Sequence, residues 1–581
     1  MRMMDSGDWP WIERHELDLA LIPGERAHPS GQGWRGDPLA GLRLLPSSDD
    51  EFAALAGDGY PDDAGHGEGG DDPQDGGDGG GGAGVGDDPP ADIPATPDDL
   101  PPGTPVMFLI PTDNRFANSW HLLNTGQGSG TPGIDINVTR AWDDFTGRGV
   151  KLAIYDNAVQ YTHPDLAPNY DTSLHLVIDG KTWEASPRNY GKSGSGGDIH
   201  GSSVAGVAAA AANGIDGVGV AFNATIVGVP VIRSSEPLWY TWAMPEMWRF
   251  DVVNHSWGFT DAFYIDRASP AFVGMFGGIR TAVETGRGGL GTIIVKAAGN
   301  GRTANQETNQ ENFGNDRHLV HVAAINNKGG VASFSTPGAS LLVSAPGENI
   351  VAPDLTGTSG DTSGDYKTNF AGTSAAAPIV SGVAALILEA NPLLGWRDVR
   401  DILAMTARRT GSMGAAPEGH EIYGWTINAA SNWNGGGMHF SNDYGFGLVD
   451  ALAAVRLAES WTPGGTSASE RSAVGTSTVT RAIPDNATGG VSYAVTVPSG
   501  VAIETIEIGI DIRHAQRTQL QIEVISPSGT RNIVLDTPKN PGFNNDYFVW
   551  TLTSNAFWGE QSGGTWTVIV RDLVAGTTGT V

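Results

Sequence analysis

From Val106 to Trp461 short apolar runs alternate with longer helical stretches, whereas beyond Thr480 apolar and polar residues alternate within short segments divided by turns. The first texture predicts an α/β domain built on a mostly parallel sheet with helices on both faces. The second predicts an all-β sandwich. In the α/β part, strands are expected at 150–155, 225–232, 251–256, 291–297 and 320–324, each ending in a polar or glycine-bearing turn. Ligands of open α/β sheets bind at such carboxyl ends. Helices are expected to start near His200 and Ser374, with another from Leu448 to Glu459. Ile379, Val380, Val383, Ala384, Leu386, Ile387 and Leu388 leave no polar face, which describes a helix buried in a large domain. Sandwich strands are expected at 491–497, 503–512, 519–525, 547–552 and 565–570. The chain stops at Val581 in a Gly-Thr-Thr-Gly-Thr turn, so a last edge strand is expected to be missing.

Composition separates these regions. Residues 1–56 hold scattered apolar clusters and form a segment of unknown fold, and residues 57–105 are an acidic Gly/Asp/Pro linker. That mixture buries too little apolar surface to offset chain entropy. A calcium-binding glycine–aspartate repeat is the sharper alternative for the linker, but the nonapeptide period is absent. The α/β domain spans 106–461, a Ser/Thr/Gly linker 462–476 and the sandwich 477–581. The net charge is −31, yet sixteen acids and no Lys or Arg fall between Asp49 and Asp99, so about half of the imbalance belongs to one segment. No basic stripe suits nucleic acid. No uninterrupted apolar run has membrane-spanning length, so the chain is expected to be soluble, and a monomer is assumed. The absence of cysteine excludes disulfides and thiolate chemistry. Met1–Ser30 carries charges throughout and lacks the apolar core of a secretory leader.

Four phrases fall where chemistry is done. Asp156 ends an apolar strand, and His200 opens His-Gly-Ser-Ser-Val-Ala-Gly before an alanine-rich helix. Asn300 ends Ala-Ala-Gly-Asn, and Ser374 lies in Gly-Thr-Ser-Ala-Ala-Ala-Pro at a helix N-terminus, where unpaired N–H groups favour a developing anion. A serine nucleophile needs a base, a carboxylate that orients the base, and oxyanion donors. Each residue alone has a structural explanation, Ser374 as a helix cap above all. Four in this order and context point to acyl transfer.

These motifs resemble the subtilisin superfamily of serine endopeptidases. Tyr444-Gly-Phe-Gly-Leu-Val-Asp450 and the following β module narrow the resemblance to its kexin-like branch, whose catalytic domain is followed by a P domain. The resemblance covers residues 106–581. It implies hydrolysis of proteins or proproteins with His200 as base, Asp156 as its orienter, Ser374 as nucleophile and Asn300 as oxyanion donor. Ser256-Trp257-Gly258 matches the strand that pairs with extended substrate. Asp261 and Glu311 match the acids that select a basic residue before the cut, although Glu311 stands in place of Asp, Phe259 in place of proline and Ala262 in place of a second Asp. Trp239 and Trp242 occupy the region that supplies acids to outer pockets. The resemblance also implies one structural Ca2+ at Asp113, Asp165 and Asn213, completed by backbone carbonyls. Gln306 and Thr336 stand where acids of other calcium sites are expected. Asp156-Asn157-Ala158 lacks the turn glycine of relatives, and Lys296 stands where they carry an apolar residue. No segment before Val106 resembles their propeptide. A protease of this kind is expected to be secreted. The rival readings are a broad degradative protease, and a catalytically silent fold that binds through the sandwich.

Overall fold

A computed structural model describes residues 110–187, 199–232, 242–259, 261–413, 419–431, 436–498, 500–536 and 548–581. The expectations for residues 1–105, and for Trp239, lie outside the described residues. Six parallel strands form the central sheet: β1 (Lys151–Asp156), β2 (Thr225–Pro230), β3 (Val252–His255), β4 (Ile293–Ala297), β5 (Leu319–Ile325) and β6 (Val343–Pro346). Their order is β2-β1-β3-β4-β5-β6. The inner strands are buried on both faces, as continuous apolar sequence requires. Five of the six lie where the apolar runs predict them; β6, a four-residue strand that ends in Pro346, is an addition.

Five α-helices flank the sheet among the described residues: α1 (His200–Ala209), α2 (Val273–Gly289), α3 (Thr373–Ala390), α4 (Trp396–Thr406) and α5 (Ala451–Ser460). Helix α3 packs on β3, β4, β5 and β6. By length and mean hydropathy alone, α3 could cross a membrane, but 83% of it is buried inside the protein. It is the core helix the apolar run predicted. Helix α5 starts at Ala451 rather than Leu448 because the Asp450 carboxylate accepts from the N–H of Ala453 and caps it. Helices α2 and α4 were not foreseen.

The C-terminal residues form two antiparallel sheets. One holds β7 (Val491–Val497), β8 (Gly564–Asp572), β9 (Leu520–Ile525) and β10 (Arg531–Leu535) in that spatial order. The other runs Ala482–Ile483, Gly579–Thr580, Ile506–His514 and Phe548–Ser554. The closing Gly-Thr-Thr-Gly-Thr segment was expected to be a turn, but Gly579–Thr580 pair on both sides as a short strand.

The sandwich seats on the loop between β4 and β5. Asn309 is fully buried there; its Nδ2 donates to Val534 O (2.7 Å) and Thr553 O (2.9 Å), and its Oδ1 accepts from Thr553 N (2.9 Å) and Asn315 Nδ2 (2.9 Å). Phe263 meets Phe548 and Trp550 edge to face, and Arg267 bridges Asp316 at 3.0 Å and Glu507 at 2.8 Å. The loop that ends in Glu311 is therefore fixed by the second domain.

Candidate active site

The parallel sheet brings the carboxyl ends of β1, β3 and β4 to one edge, and α1 and α3 begin there. Asp156, the last residue of β1, is almost fully buried, and both its oxygens face His200 Nδ1, at 2.9 and 3.0 Å. This pair holds because α1 begins close against the turn after β1. A Cβ on Gly201 would lie 2.1 Å from Ala158 O, so only glycine permits the approach. Asn157 does the work of the missing turn glycine: its Oδ1 accepts from the N–H of Ala158 (2.6 Å) and of Gly201 (3.0 Å). Neither Asn157 nor Ala158 takes a positive φ. Ser202 keeps its hydroxyl in use by accepting from Gln160 N at 2.9 Å.

Ser374 is the second residue of α3, behind Gly372 as N-cap with φ 110°. It therefore stands in the first turn and is not the cap. Its Oγ donates to Ser256 O at 3.0 Å, and Ser256 Oγ donates back to Ser374 O at 3.0 Å. Asn254 Nδ2 donates to Ser256 Oγ (2.9 Å) and Ser381 Oγ donates to Asn254 Oδ1 (2.9 Å), which locks the end of β3 onto α3. Ser374 Oγ and His200 share no hydrogen bond here. Nucleophile–base bonds of ligand-free sites are commonly loose and tighten with substrate.

Asn300 is oriented by its oxygen. Oδ1 accepts from Thr373 N (2.9 Å) and Thr373 Oγ1 (3.0 Å), and Thr373 Oγ1 in turn accepts from Gly299 N (3.0 Å). Nδ2 must then face the other way. A Cβ on Gly372 would sit 3.1 Å from Asn300 Nδ2, 3.5 Å from Ser374 N and 3.6 Å from Asn300 Oδ1, so both nitrogens lie close to one point beside the serine.

Ser256, Trp257 and Gly258 follow β3 directly and are buried, with Trp257 stacked on Phe313 at 5.3 Å. Glu311 lies beside this segment, but it is paired with Lys296: Nζ to Oε2 is 3.7 Å, and Nζ also donates to Ala297 O at 2.8 Å. Burial pulls the Lys296 ammonium below its usual range and pushes the Glu311 carboxyl above its own, each group partly opposing that effect on the other. Asp261 is half-buried and its side chain makes no hydrogen bond or ion pair among the described residues. The structure thus brings Glu311, but not Asp261, to a charged partner at the strand. Lys296 stood out in the sequence only as a departure; its reach to Glu311 had no signal there.

Asp113, Asp165 and Asn213 come together away from the serine. Asn213 N donates to Asp113 Oδ1 (3.2 Å) and Gly217 N to Asp165 Oδ2 (3.1 Å). Asp113 Oδ2 and Asp165 Oδ1 are buried without a hydrogen-bond partner among the described residues. Burial above all, with Asp113 and Asp216 adding to it, raises Asp165 to about 6, and burial also raises Asp113. Two orphaned buried carboxylate oxygens on separate loops fit a hard cation. Asn213 Oδ1 already accepts from Ile215 N at 2.9 Å, so only its second lone pair is left for a metal. Among the described residues no group of three or more His, Cys, Asp or Glu clusters for a metal, so carbonyl and amide oxygens must complete this shell.

Comparison with known proteins gives consistent answers. Residues 147–447 match the subtilase family and residues 503–581 the proprotein convertase P-domain. A PC3-like endoprotease variant B of Hydra vulgaris is 31% identical over 486 residues, covering 80% of this chain and 64% of that protein. Neuroendocrine convertase 2 of Rattus norvegicus is 30% identical over 481 residues, covering 78% and 70%. This chain spans only 64% and 57% of the two Hydra relatives' lengths. A serine protease of Aeromonas sobria has a similar crystal structure, with a TM-score of 0.67 and 25% identity over 81% of this chain and 92% of that one.

Proposed function

This chain belongs to the subtilase family and carries a proprotein convertase P-domain, and from that premise we propose that it is a serine endopeptidase that cuts proteins or proproteins bound in extended form. The observation that carries this reading is the His200–Asp156 pair, at 2.9 Å, at the sheet edge where Ser374 opens α3 with Asn300 Nδ2 and Ser374 N close beside it.

The substrate backbone pairs with the chain at Ser256–Gly258 and presents its carbonyl carbon to Ser374. Asp156 accepts from Nδ1–H of His200 and so leaves Nε2 as the basic nitrogen. His200 takes the Oγ proton as the serine attacks, and the carbonyl oxygen moves into the hollow between Asn300 Nδ2 and Ser374 N as its charge develops. The positive end of α3 acts in the same direction. His200 then returns the proton to the leaving amine, and water repeats the sequence on the acyl-enzyme.

The buried oxygens of Asp113 and Asp165 support a structural Ca2+ held with Asn213 and backbone carbonyls. Bound there, the ion supplies charge neutralisation that lets both carboxylates stay ionised and ties the loop after β1 to the chain at Asp113. Membership of the subtilase family and similarity to convertases support work in the secretory pathway or outside the cell.

Hydrolysis of a peptide library in calcium by the full chain tests the reading. Wild type should cleave, and Ser374→Ala and His200→Gln should each abolish turnover while remaining folded. Equal cleavage by all three would place the activity elsewhere.

A further inference from the structure

Ser256 O touches the nucleophile, and Gly258 lies two residues farther along the chain, at most about 7 Å away. That is roughly the reach of a long side chain on the residue before the cut. A Cβ on Gly258 would sit 3.5 Å from Lys296 Nζ and 3.9 Å from Glu311 Oε2, so both charged heads lie under the substrate strand. Lys296 is 1% exposed and the Glu311 side chain 20%. The ammonium is held by Glu311, by Ala297 O and over the Phe313 ring at 5.7 Å. It therefore makes the contacts that an incoming basic side chain would seek: a carboxylate and a backbone carbonyl.

We infer, on the basis of the endopeptidase reading, that Lys296 is a specificity-determining residue that neutralises Glu311 and makes this enzyme cut after uncharged side chains rather than after Arg or Lys. The pair carries no net charge whichever partner holds the proton. A guanidinium entering beside it would share one carboxylate with an ammonium only a few ångströms off, and two like charges in a poorly solvated site repel. An uncharged side chain meets no such penalty. Asp261 is the second acid the sequence offers for holding a basic residue, so the two acids must be tested separately.

The test compares kcat/KM for matched peptides with Arg or Leu before the cut, using the calcium-loaded full chain. Wild type should favour Leu. Lys296→Met should raise the Arg-to-Leu ratio about tenfold or more, since it frees a carboxylate for a charge-assisted hydrogen bond. Glu311→Gln leaves the ammonium without its carboxylate and should lower that ratio further, never raise it, and Asp261→Asn should leave it unchanged. Should Lys296→Met not fold, wild type and Glu311→Gln still decide the matter. A wild type that prefers Arg overturns the inference, whether Glu311→Gln or Asp261→Asn removes that preference, and so does a preference for Asp or Glu. Cleavage with the wrong preference leaves the endopeptidase reading intact. If no library peptide is cut and a fluorophosphonate probe does not react, that reading fails and the inference falls with it.

Discussion

Asn309→Ala asks the most of the interface between the two domains. The side chain is fully buried and makes four hydrogen bonds, to Val534 O, Thr553 O, Thr553 N and Asn315 Nδ2. Truncation leaves up to four buried polar groups short of a partner, each costing about 1–3 kcal/mol when no substitute is found. Water filling the vacated space recovers part of this. The net loss should be about 3–5 kcal/mol, in the high tail for a single substitution. Urea unfolding of the full chain reads it through tryptophan fluorescence, since Trp550 Nε1 donates to Asn309 O at 2.7 Å and reports the same contact. The loop bearing Glu311 should loosen too, raising KM more than it lowers kcat. A shift below about 1 kcal/mol would refute the reasoning, because a hydrated or slack interface tolerates the loss of one amide.

Asn300→Ala should lower kcat about a hundred- to a thousand-fold with little change in KM, read in steady-state peptide hydrolysis, because the hollow at Ser374 loses one of its two donors. Chelating calcium should lower the melting temperature of wild type; at a hundred times Kd the ion contributes about 2.7 kcal/mol, and Asp165→Asn should erase most of that difference. The chain should also lose stability in acid. Burial pushes Asp316 up, but Arg267, His318 and Arg317 more than offset it and hold its carboxyl well below the usual range. Glu507 is likewise held low by Arg267 and Arg317 against its burial. A depressed folded pKa contributes stability that is present above the unfolded value of about 4 and is lost as pH falls below it. Thermal melts from pH 6 to pH 2 should drop steeply below about pH 4, and Asp316→Asn should flatten that limb.

The sheet was legible because parallel strands buried on both faces read as continuous apolar runs, and α3 because its run has no polar side. Strand β6 was too short to separate from the loop around it. Helix α2 hid behind Gly274, Gly277, Gly278 and Gly286, which lower helix propensity and suggest loop. Helix α4 carries its apolar residues at helical spacing among charges, a signal that was present and not used. At the site, Asp156, His200, Asn300 and Ser374 could be named because each belongs to a local phrase at an element's end. What their side chains touch could not. The Lys296–Glu311 pair joins a strand to a loop fifteen residues on, and nothing local shows that a lysine in an apolar strand turns toward that carboxylate. Asn309 failed for the opposite reason: an Asn- and Gln-rich loop reads as solvated, and only the second domain buries it.

Labelling by a fluorophosphonate probe, with the adduct located by mass spectrometry on the calcium-loaded full chain, tests the central claim most directly. The account predicts a single adduct on Ser374 Oγ, formed by wild type, slowed strongly by Asp156→Asn and absent in His200→Gln. A folded protein that leaves Ser374 unmodified, or that reacts equally well without His200, would contradict it.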